Sequence, residues 1–318
     1  MSAVYLITGG AGNLACQLTH KLARRAADIT LFDIAEKPIA KTADGCRYMR
    51  GDITQVDTVR SVIRQCRPDV IVHLASLLSG SSEQQRDMAW RVNMDGTFHL
   101  FQQAVECGVQ QVFFPSSVAA YGGTLPNPVP EDFPQWPTGL YGVTKAAIER
   151  LGVYYATRHD LDFRSIRLPV VVSEFAPAHA ASAYVSQAFV RSVREGHYTF
   201  AVRPMSRPSL IYVNDVLRAI VDLLEVDAQR LSRCVYNLQA MSPTAEEVVA
   251  AISKRIPDVS LAFKTDPKVA NLIDSWPVAF DDQSARADWN WQPQYDLEHL
   301  ADDFIEHLRS TASNARQL

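Results

Sequence analysis

A short apolar run from Ala3 to Thr8 breaks into Gly9, Gly10, Ala11 and Gly12, after which Leu14, Leu18 and Leu22 recur at helical spacing. Strand, tight turn and helix follow in that order, and no other stretch restricts the fold so strongly. Gly9, Gly12 and Ala15 stand three apart, the spacing by which a turn lets backbone N–H groups and a helix N-terminus approach a pyrophosphate. Ala15 takes the third place, which governs helix-to-strand packing and tolerates a methyl. A second strand, Ile29 to Phe32, ends in Asp33, about twenty residues past the turn. An acid there accepts hydrogen bonds from both ribose hydroxyls of a dinucleotide and repels a 2′-phosphate, so NAD is favoured over NADP.

The alternation continues down the chain. Strand-like runs at Cys46 to Arg50, Val70 to Leu74, Val112 to Phe114 and Phe163 to Leu168 are separated by helical patterns: one ends at Cys66, one spans Gln85 to Cys107, and one begins at Tyr141. Alternating strands and helices of this length predict an α/β fold with a parallel, doubly wound sheet. After Leu168 the regularity stops, and Pro169 to Pro208 reads as an inserted lobe. Ser209 to Val213 returns to strand, a helix starting at Asn214 or Asp215 reaches about Glu225, and a strand from Val235 to Leu238 leads to a helix from Pro243 or Thr244 to Arg255. The expectation is a dinucleotide-binding domain of residues 1–168 and 209–240, with a smaller C-terminal substrate lobe of residues 169–208 and 241–318. Trp276, Trp289 and Trp291 in the tail read as a packing lid.

Composition removes several classes of function. Charged residues make up 21%, hydrophobic ones 47%, and the net charge of −4 carries no basic block, so nucleic acid is not an expected partner. No apolar run reaches the ~18 residues of a membrane span, and Met1 to Gly10 enters a strand without the regions of a signal peptide. A cytoplasmic protein is expected. Cys16, Cys46, Cys66, Cys107 and Cys234 are odd in number and far apart, with no CxxC pair, so no metal site is expected and the thiols read as buried or incidental.

The candidate chemistry lies at Tyr141 and Lys145, whose spacing on a helix sends both side chains out of the same face. A free phenol titrates near ~10, and a neighbouring ammonium favours the phenolate and lowers that value. A base poised nearer working pH is the expected result. Upstream, a strand ends in Ser116 and Ser117. Ser117 can orient a substrate hydroxyl while Tyr141 removes its proton and the carbon beneath delivers hydride to NAD, turning a secondary alcohol into a ketone.

Taken together, Gly9 to Ala15, Asp33, Asp52 with Ile53, Asn93, Ser117 and the Tyr141 to Lys145 motif resemble the extended short-chain dehydrogenase/reductase superfamily, the NAD-dependent epimerase/dehydratase family with its Rossmann-type sheet. Within it, Ala89 to Gly96 (AWRVNMDG), Pro115 to Gly122 (PSSVAAYG), Tyr141 to Lys145 (YGVTK) and Asp274 to Asp282 (DSWPVAFDD) look most similar to the epimerase-like L-threonine 3-dehydrogenases. The resemblance covers the whole chain. It implies that Gly9, Gly12, Asn13 and Leu14 hold the pyrophosphate, Asp33 the adenosine ribose, and Asp52 with Ile53 the adenine. Leu74, Ala75 and Ser76 would line the nicotinamide half, with Asn93 on the same cofactor side. It further implies Ser117 as catalytic hydroxyl, Tyr141 as base, and Lys145 as its electrostatic partner and holder of the nicotinamide ribose. Ser79 and Arg207 fall near positions that face substrate. A homodimer is also implied, in which helices around Gln85 to Cys107 and Tyr141 to Thr157 form a four-helix bundle with their symmetry mates.

The chain departs from those dehydrogenases at the start of the lobe. They carry a glycine-rich run, two threonines and an aspartate that faces the substrate ammonium, whereas here Pro177 to Tyr184 reads PAHAASAY and Ala183 takes the aspartate position. A buried ammonium without a carboxylate partner keeps its desolvation cost, on the order of several kcal/mol. His179 is a second candidate there, for an acid or a hydroxyl. The expected function is NAD-dependent oxidation of a small β-hydroxy (amino) acid, L-threonine 3-dehydrogenase-like. The alternative is a sugar-nucleotide epimerase or dehydratase with tightly bound NAD, which should present basic groups to a diphosphate. For that the lobe offers Arg191, Arg194, Arg203 and Arg207.

Overall fold

Successive side chains of a strand leave opposite faces of a sheet, and on β1 (Ala3–Thr8) both directions are apolar. Tyr5 and Ile7 enter one buried cluster and Leu6 enters another, the pattern of a parallel sheet covered on both faces. The computed structural model describes residues 3–178 and 180–315. β2 (Ala26–Asp33), β3 (Arg47–Arg50), β4 (Val70–His73), β5 (Gln111–Ser117), β6 (Asp162–Leu168), β7 (Val170–Val172), β8 (His197–Phe200), β9 (Leu210–Tyr212), β10 (Val235–Asn237) and β11 (Ser260–Phe263) follow in chain order. Seven of these strands form one sheet in the order β10-β6-β5-β4-β1-β2-β3, with every neighbouring pair parallel. The chain runs from β1 outward to β3 and then returns to lay β4 on the other side of β1. The carboxyl ends of β1 and β4 therefore flank the switch point, where open α/β sheets hold their ligands.

The helices are α1 (Asn13–Leu22), α2 (Val56–Cys66), α3 (Ser79–Gln84), α4 (Arg86–Trp90), α5 (Gly96–Glu106), α6 (Leu140–His159), α7 (Tyr184–Glu195), α8 (Val213–Glu225), α9 (Ala245–Arg255), α10 (Pro267–Asp274), α11 (Gln283–Trp289) and α12 (Leu297–Ala315). Leu18 of α1 and Val216 of α8 cover one face, while Val62 of α2, Leu100 of α5 and Ile148 of α6 cover the other. The helix expected from Gln85 to Cys107 is in two pieces, α4 and α5, joined by a π-helical turn at Arg91–Asp95. Such turns concentrate at functional sites, and this one carries Asn93. Gly96 follows it, where a Cβ would stand 3.0 Å from the Ile53 side chain.

Beyond Leu168, β7 pairs with β9 and β8 with β11 in two small parallel sheets. One apolar cluster runs without a break from Ile7 through Phe189 of α7 to Phe304 of α12, so the sheet and the lobe share a core. Trp289 and Trp291 are part of that core, 5% and 0% exposed, and pack on each other. They are interior side chains and not a lid, because Trp291 finds a buried acceptor for its indole N–H in Asp282 at 3.1 Å.

Candidate functional site

The glycine turn closes directly on the neighbouring strand. Gly9 has φ +66°, and a Cβ there would meet the Ala75 amide nitrogen at 2.6 Å, so both its conformation and its space exclude a side chain. Gly12 donates to the Gly9 carbonyl at 3.0 Å and precedes α1 without any side-chain cap. The first N–H groups of α1, at Asn13 and Leu14, thus face a position suited to an anion. The Asn13 side chain is used elsewhere, donating to Ser173 Oγ at 3.2 Å and accepting from Gln17 at 2.7 Å. Asp33 ends β2 with Oδ2 accepting from Ala11 N and Oδ1 from Ala35 N, both at 3.0 Å. Its carboxylate is tied to the same turn. Asp52 accepts from Thr54 N at 2.8 Å, and Ile53 beside it is buried.

At the end of β4, Leu74 donates to the Thr8 carbonyl, which sets Leu74, Ala75 and Ser76 alongside the turn. Asn93 clamps this segment: Oδ1 accepts from Leu77 N at 2.8 Å and Ser76 Oγ at 3.3 Å, while Nδ2 donates to Leu77 O and to Thr144 Oγ1 on α6. With its amide used in this way, Asn93 holds Ser76 and Leu77 in place against α6. His73 is fully buried between Thr8 Oγ1 at 2.7 Å and Thr97 Oγ1 at 2.8 Å. Burial, with Lys145 adding to it, lowers its pKa to about 3 and keeps the ring neutral.

Ser117 ends β5 and its Oγ accepts from Ala119 N at 3.1 Å. α6 begins at Leu140, whose N–H is accepted by Glu83 of α3 at 2.8 Å. A Cβ on Gly142 would lie 2.1 Å from the Ala119 carbonyl oxygen, so the glycine of the Tyr141 to Lys145 stretch lets the helix settle onto the Ser117 turn. That contact sets Tyr141 beside Ser117, close enough for the serine to act on the phenol's pKa. Lys145 Nζ donates to the Pro115 carbonyl at 2.8 Å, lies 5.3 Å from the centre of the Tyr141 ring, and sits over Phe114 at 4.2 Å.

The electrostatics differ from the expectation that Lys145 lowers the Tyr141 pKa. Burial pushes Tyr141 up to about 12, opposed by the Ser117 hydrogen bond, and burial brings Lys145 down to about 7, opposed by Glu149. Desolvation penalises whichever form is charged. It therefore separates the pair into a neutral phenol and a half-charged amine.

The residues expected to face substrate are spread out. Ser79 opens α3, exposed, on the short helix that reaches α6 through Glu83. Ala183 is buried in a single helical turn, Ala181–Ala183, against which α10 packs. The nearby carboxylate is Asp274 at the end of α10. It accepts from Ser206 Oγ at 2.6 Å and from Arg203, and with burial it pushes the Tyr184 phenol up. Arg207 is exposed and donates to the Ser242 carbonyl at 3.1 Å. His179 lies outside the described residues. Sequence reasoning missed Glu149 and Asp274. Glu149 left one signal, a charge one turn beyond Lys145 on the helix face that carries the chemistry.

An uncapped helix behind a glycine turn, an acid ending the next strand, and a Ser-Tyr-Lys cluster at the same sheet edge define a dinucleotide-dependent oxidoreductase. Residues 5–238 match the model of the NAD dependent epimerase/dehydratase family, and the chain belongs to that family, as an NAD-dependent dehydrogenase of the extended short-chain type. NAD is its cofactor. The mitochondrial L-threonine 3-dehydrogenase of Bos taurus is 34% identical over 299 residues, covering 93% of this chain and 80% of that protein. The structure of L-threonine dehydrogenase from Clostridium difficile is 31% identical with a TM-score of 0.90, covering 97% of this chain and 98% of that one. A monomeric L-threonine 3-dehydrogenase from a metagenome is 27% identical with a TM-score of 0.88, covering 96% and 99%.

Proposed function

We propose that this enzyme oxidises the secondary alcohol of a small β-hydroxy acid of the threonine type, with Tyr141 as base. The observation that carries the reading is the convergence of Ser117, Tyr141 and Lys145 at the carboxyl edge of the sheet that also bears the glycine turn, in a chain similar to an L-threonine dehydrogenase over 97% of its length. Ser117 receives and orients the substrate hydroxyl, Tyr141 in its phenolate form takes the proton at Oη, and Lys145 as ammonium, held on the Pro115 carbonyl, favours that phenolate over the neutral phenol that burial alone leaves. Bound NAD supplies the hydride acceptor. The turn amides at Gly9, Gly12, Asn13 and Leu14 bind its pyrophosphate, Asp33 its adenosine ribose, and Asp52 with Ile53 its adenine, while Leu74, Ala75, Ser76 and Asn93 shape the nicotinamide end.

On the substrate side, Ser79 and Arg207 contact the acid, Arg207 offering its guanidinium to the carboxylate. Ala183 gives an ammonium nothing to pair with, and Asp274 is already engaged by Arg203 and Ser206. L-Threonine is the first substrate to test, against analogues that lack the amino group. The sugar-nucleotide alternative finds little support: Arg191, Arg194 and Arg203 are paired with Glu195, Glu174 and Asp274, and of the four only Arg207 has no carboxylate partner among the described residues. Assayed with L-threonine, 3-hydroxybutyrate and UDP-sugars, the enzyme should release NADH in step with turnover of a hydroxy acid. Epimerised sugar nucleotide without net NADH would overturn the reading.

Residues 1–168 and 209–240 form the cofactor side in this account, and 169–208 with 241–318 the substrate side. A homodimer is proposed through the outer faces of α4, α5 and α6, where Trp90, Phe98, Val143 and Tyr154 are exposed. A sedimentation mass of one chain at micromolar concentration would refute it. The cytoplasm is the proposed compartment, in keeping with five free cysteines. Recovery in a membrane or organelle fraction would contradict that.

A further inference from the structure

Glu149 stands one turn past Lys145 and two past Tyr141 on α6, with its side chain 0% exposed. Its carboxylate has a full set of partners. Oε1 accepts from Ser116 Oγ and from Arg167 Nε at 3.0 Å, and Oε2 accepts from Arg167 at 2.7 Å and Gln135 at 2.9 Å. Arg167, on β6 and 4% exposed, also donates to the Tyr121 hydroxyl at 2.6 Å, the Glu131 carbonyl at 2.7 Å and Asn237 Oδ1 at 3.3 Å. A buried ion pair of this kind is weak evidence for stability, because apolar residues of the same volume avoid the cost of desolvating two charges. Its location points to another use. Ser116, which Glu149 grips, lies between Pro115, whose carbonyl holds Lys145, and Ser117, which stands beside Tyr141.

We propose that Glu149 is a positioning residue for the reaction: through Ser116 it fixes Pro115 and Ser117 against the helix carrying Tyr141 and Lys145, and its buried carboxylate is the anion that Lys145 faces one turn along that helix. The proposal rests on the roles assigned above to Tyr141 and Lys145. The surroundings leave this task to Glu149. Burial drives Lys145 down to about 7, and the charge opposing that is Glu149's. His73, beyond Phe114 on β4, is neutral above about 3, and Tyr121 and Tyr141 are phenols raised to about 12. Arg167 is directed at Glu149, the Tyr121 hydroxyl, the Glu131 carbonyl and Asn237, and the charge acting on Lys145 is that of Glu149. On the other elements packed against α6, Glu83, Arg86, Asp87, Arg91, Asp95 and Glu106 are exposed and screened by water, Arg164 of β6 is paired with Asp162, and His99 of α5 is half-buried.

The test reads Lys145 directly. The chain has seven lysines, so the Hε–Cε signals of isotope-labelled lysine resolve, and the one missing from Lys145→Arg is the Lys145 signal. Glu149→Gln removes a negative neighbour and leaves Arg167 positive; both changes disfavour the ammonium. The Lys145 midpoint should fall by one pH unit or more, while Glu149→Asp, which keeps the charge, should stay within half a unit of wild type. If Glu149→Gln does not fold by circular dichroism, the pair Glu149→Gln with Arg167→Gln leaves no unpaired charge, and the midpoint should still fall. An unchanged midpoint in a folded variant overturns the proposal. The titration needs no substrate, so its failure is distinguishable from failure of the dehydrogenase reading, which would appear only as absent NADH formation.

Discussion

The cofactor edge of the sheet and the Ala183 turn of the lobe are proposed to meet at the substrate, and they are built differently. At the sheet edge, backbone groups hold the side chains of the proposed chemistry: Asp33 is bonded to the Ala11 and Ala35 amides, Ser117 to the Ala119 amide, Lys145 to the Pro115 carbonyl. At the lobe turn, a methyl stands at Ala183, and the nearby acid Asp274 is already spent on Arg203 and Ser206. Groups fixed by backbone geometry serve any substrate of one reaction class. A pocket wall made of exchangeable side chains sets which member of that class is accepted, and one substitution there can change the answer.

Breaking the sheet edge should have the largest effect. Tyr141→Phe is expected to lower kcat by roughly a thousandfold, the usual reach of a general base, while NAD affinity by fluorescence titration stays within about threefold. Activity within about tenfold of wild type would remove Tyr141 as base. Asp33→Ala removes ribose hydrogen bonds and a repulsion of the 2′-phosphate together, so the preference for NAD over NADP should fall by roughly fiftyfold. An unchanged affinity ratio would sink that assignment.

The lobe side is sharpened by restoring the missing acid. Ala183→Asp should raise kcat/KM for L-threonine relative to 3-hydroxybutyrate by about tenfold, the worth of one charge-assisted hydrogen bond. A ratio that does not move would mean this turn does not face the substrate. A separate effect, away from the substrate, concerns stability. His73 has a folded pKa of about 3, below its ordinary 6.5. Its contribution is fully present above 6.5 and is lost as pH falls toward 3, at roughly 1.4 kcal/mol per pH unit. Urea unfolding of His73→Asn should show a shallower loss of stability over that range, and an equal slope would argue against a neutral His73.

How much was legible in the sequence depended on whether a feature was local. The Gly9 to Gly12 turn, Asp33 and the strand and helix order were readable because periodicity and glycine spacing act over a few residues. The Thr244 cap of α9, closed reciprocally with Glu247, sits where the sequence started that helix. The depth of the Tyr141 and Lys145 site was not readable, and burial reverses the expected direction for the phenol. The partnership of Glu149 with Arg167 joins two elements that only the fold brings together. The π turn at Arg91–Asp95 carries no composition that sets it apart from an α-helix. The two tryptophans of the tail looked like a lid because sequence gives apolarity without location.

The central claim is that a carbinol hydrogen passes directly from a β-hydroxy acid to NAD in this site. The measurement that tests it is transfer of deuterium from substrate labelled at C3, beginning with L-threonine and including 3-hydroxybutyrate, followed by NMR of the dinucleotide. The account predicts one deuterium at the nicotinamide C4 for each ketone formed, and none with Tyr141→Phe. Reduced dinucleotide free of deuterium, or no reduction with any β-hydroxy acid, would contradict it.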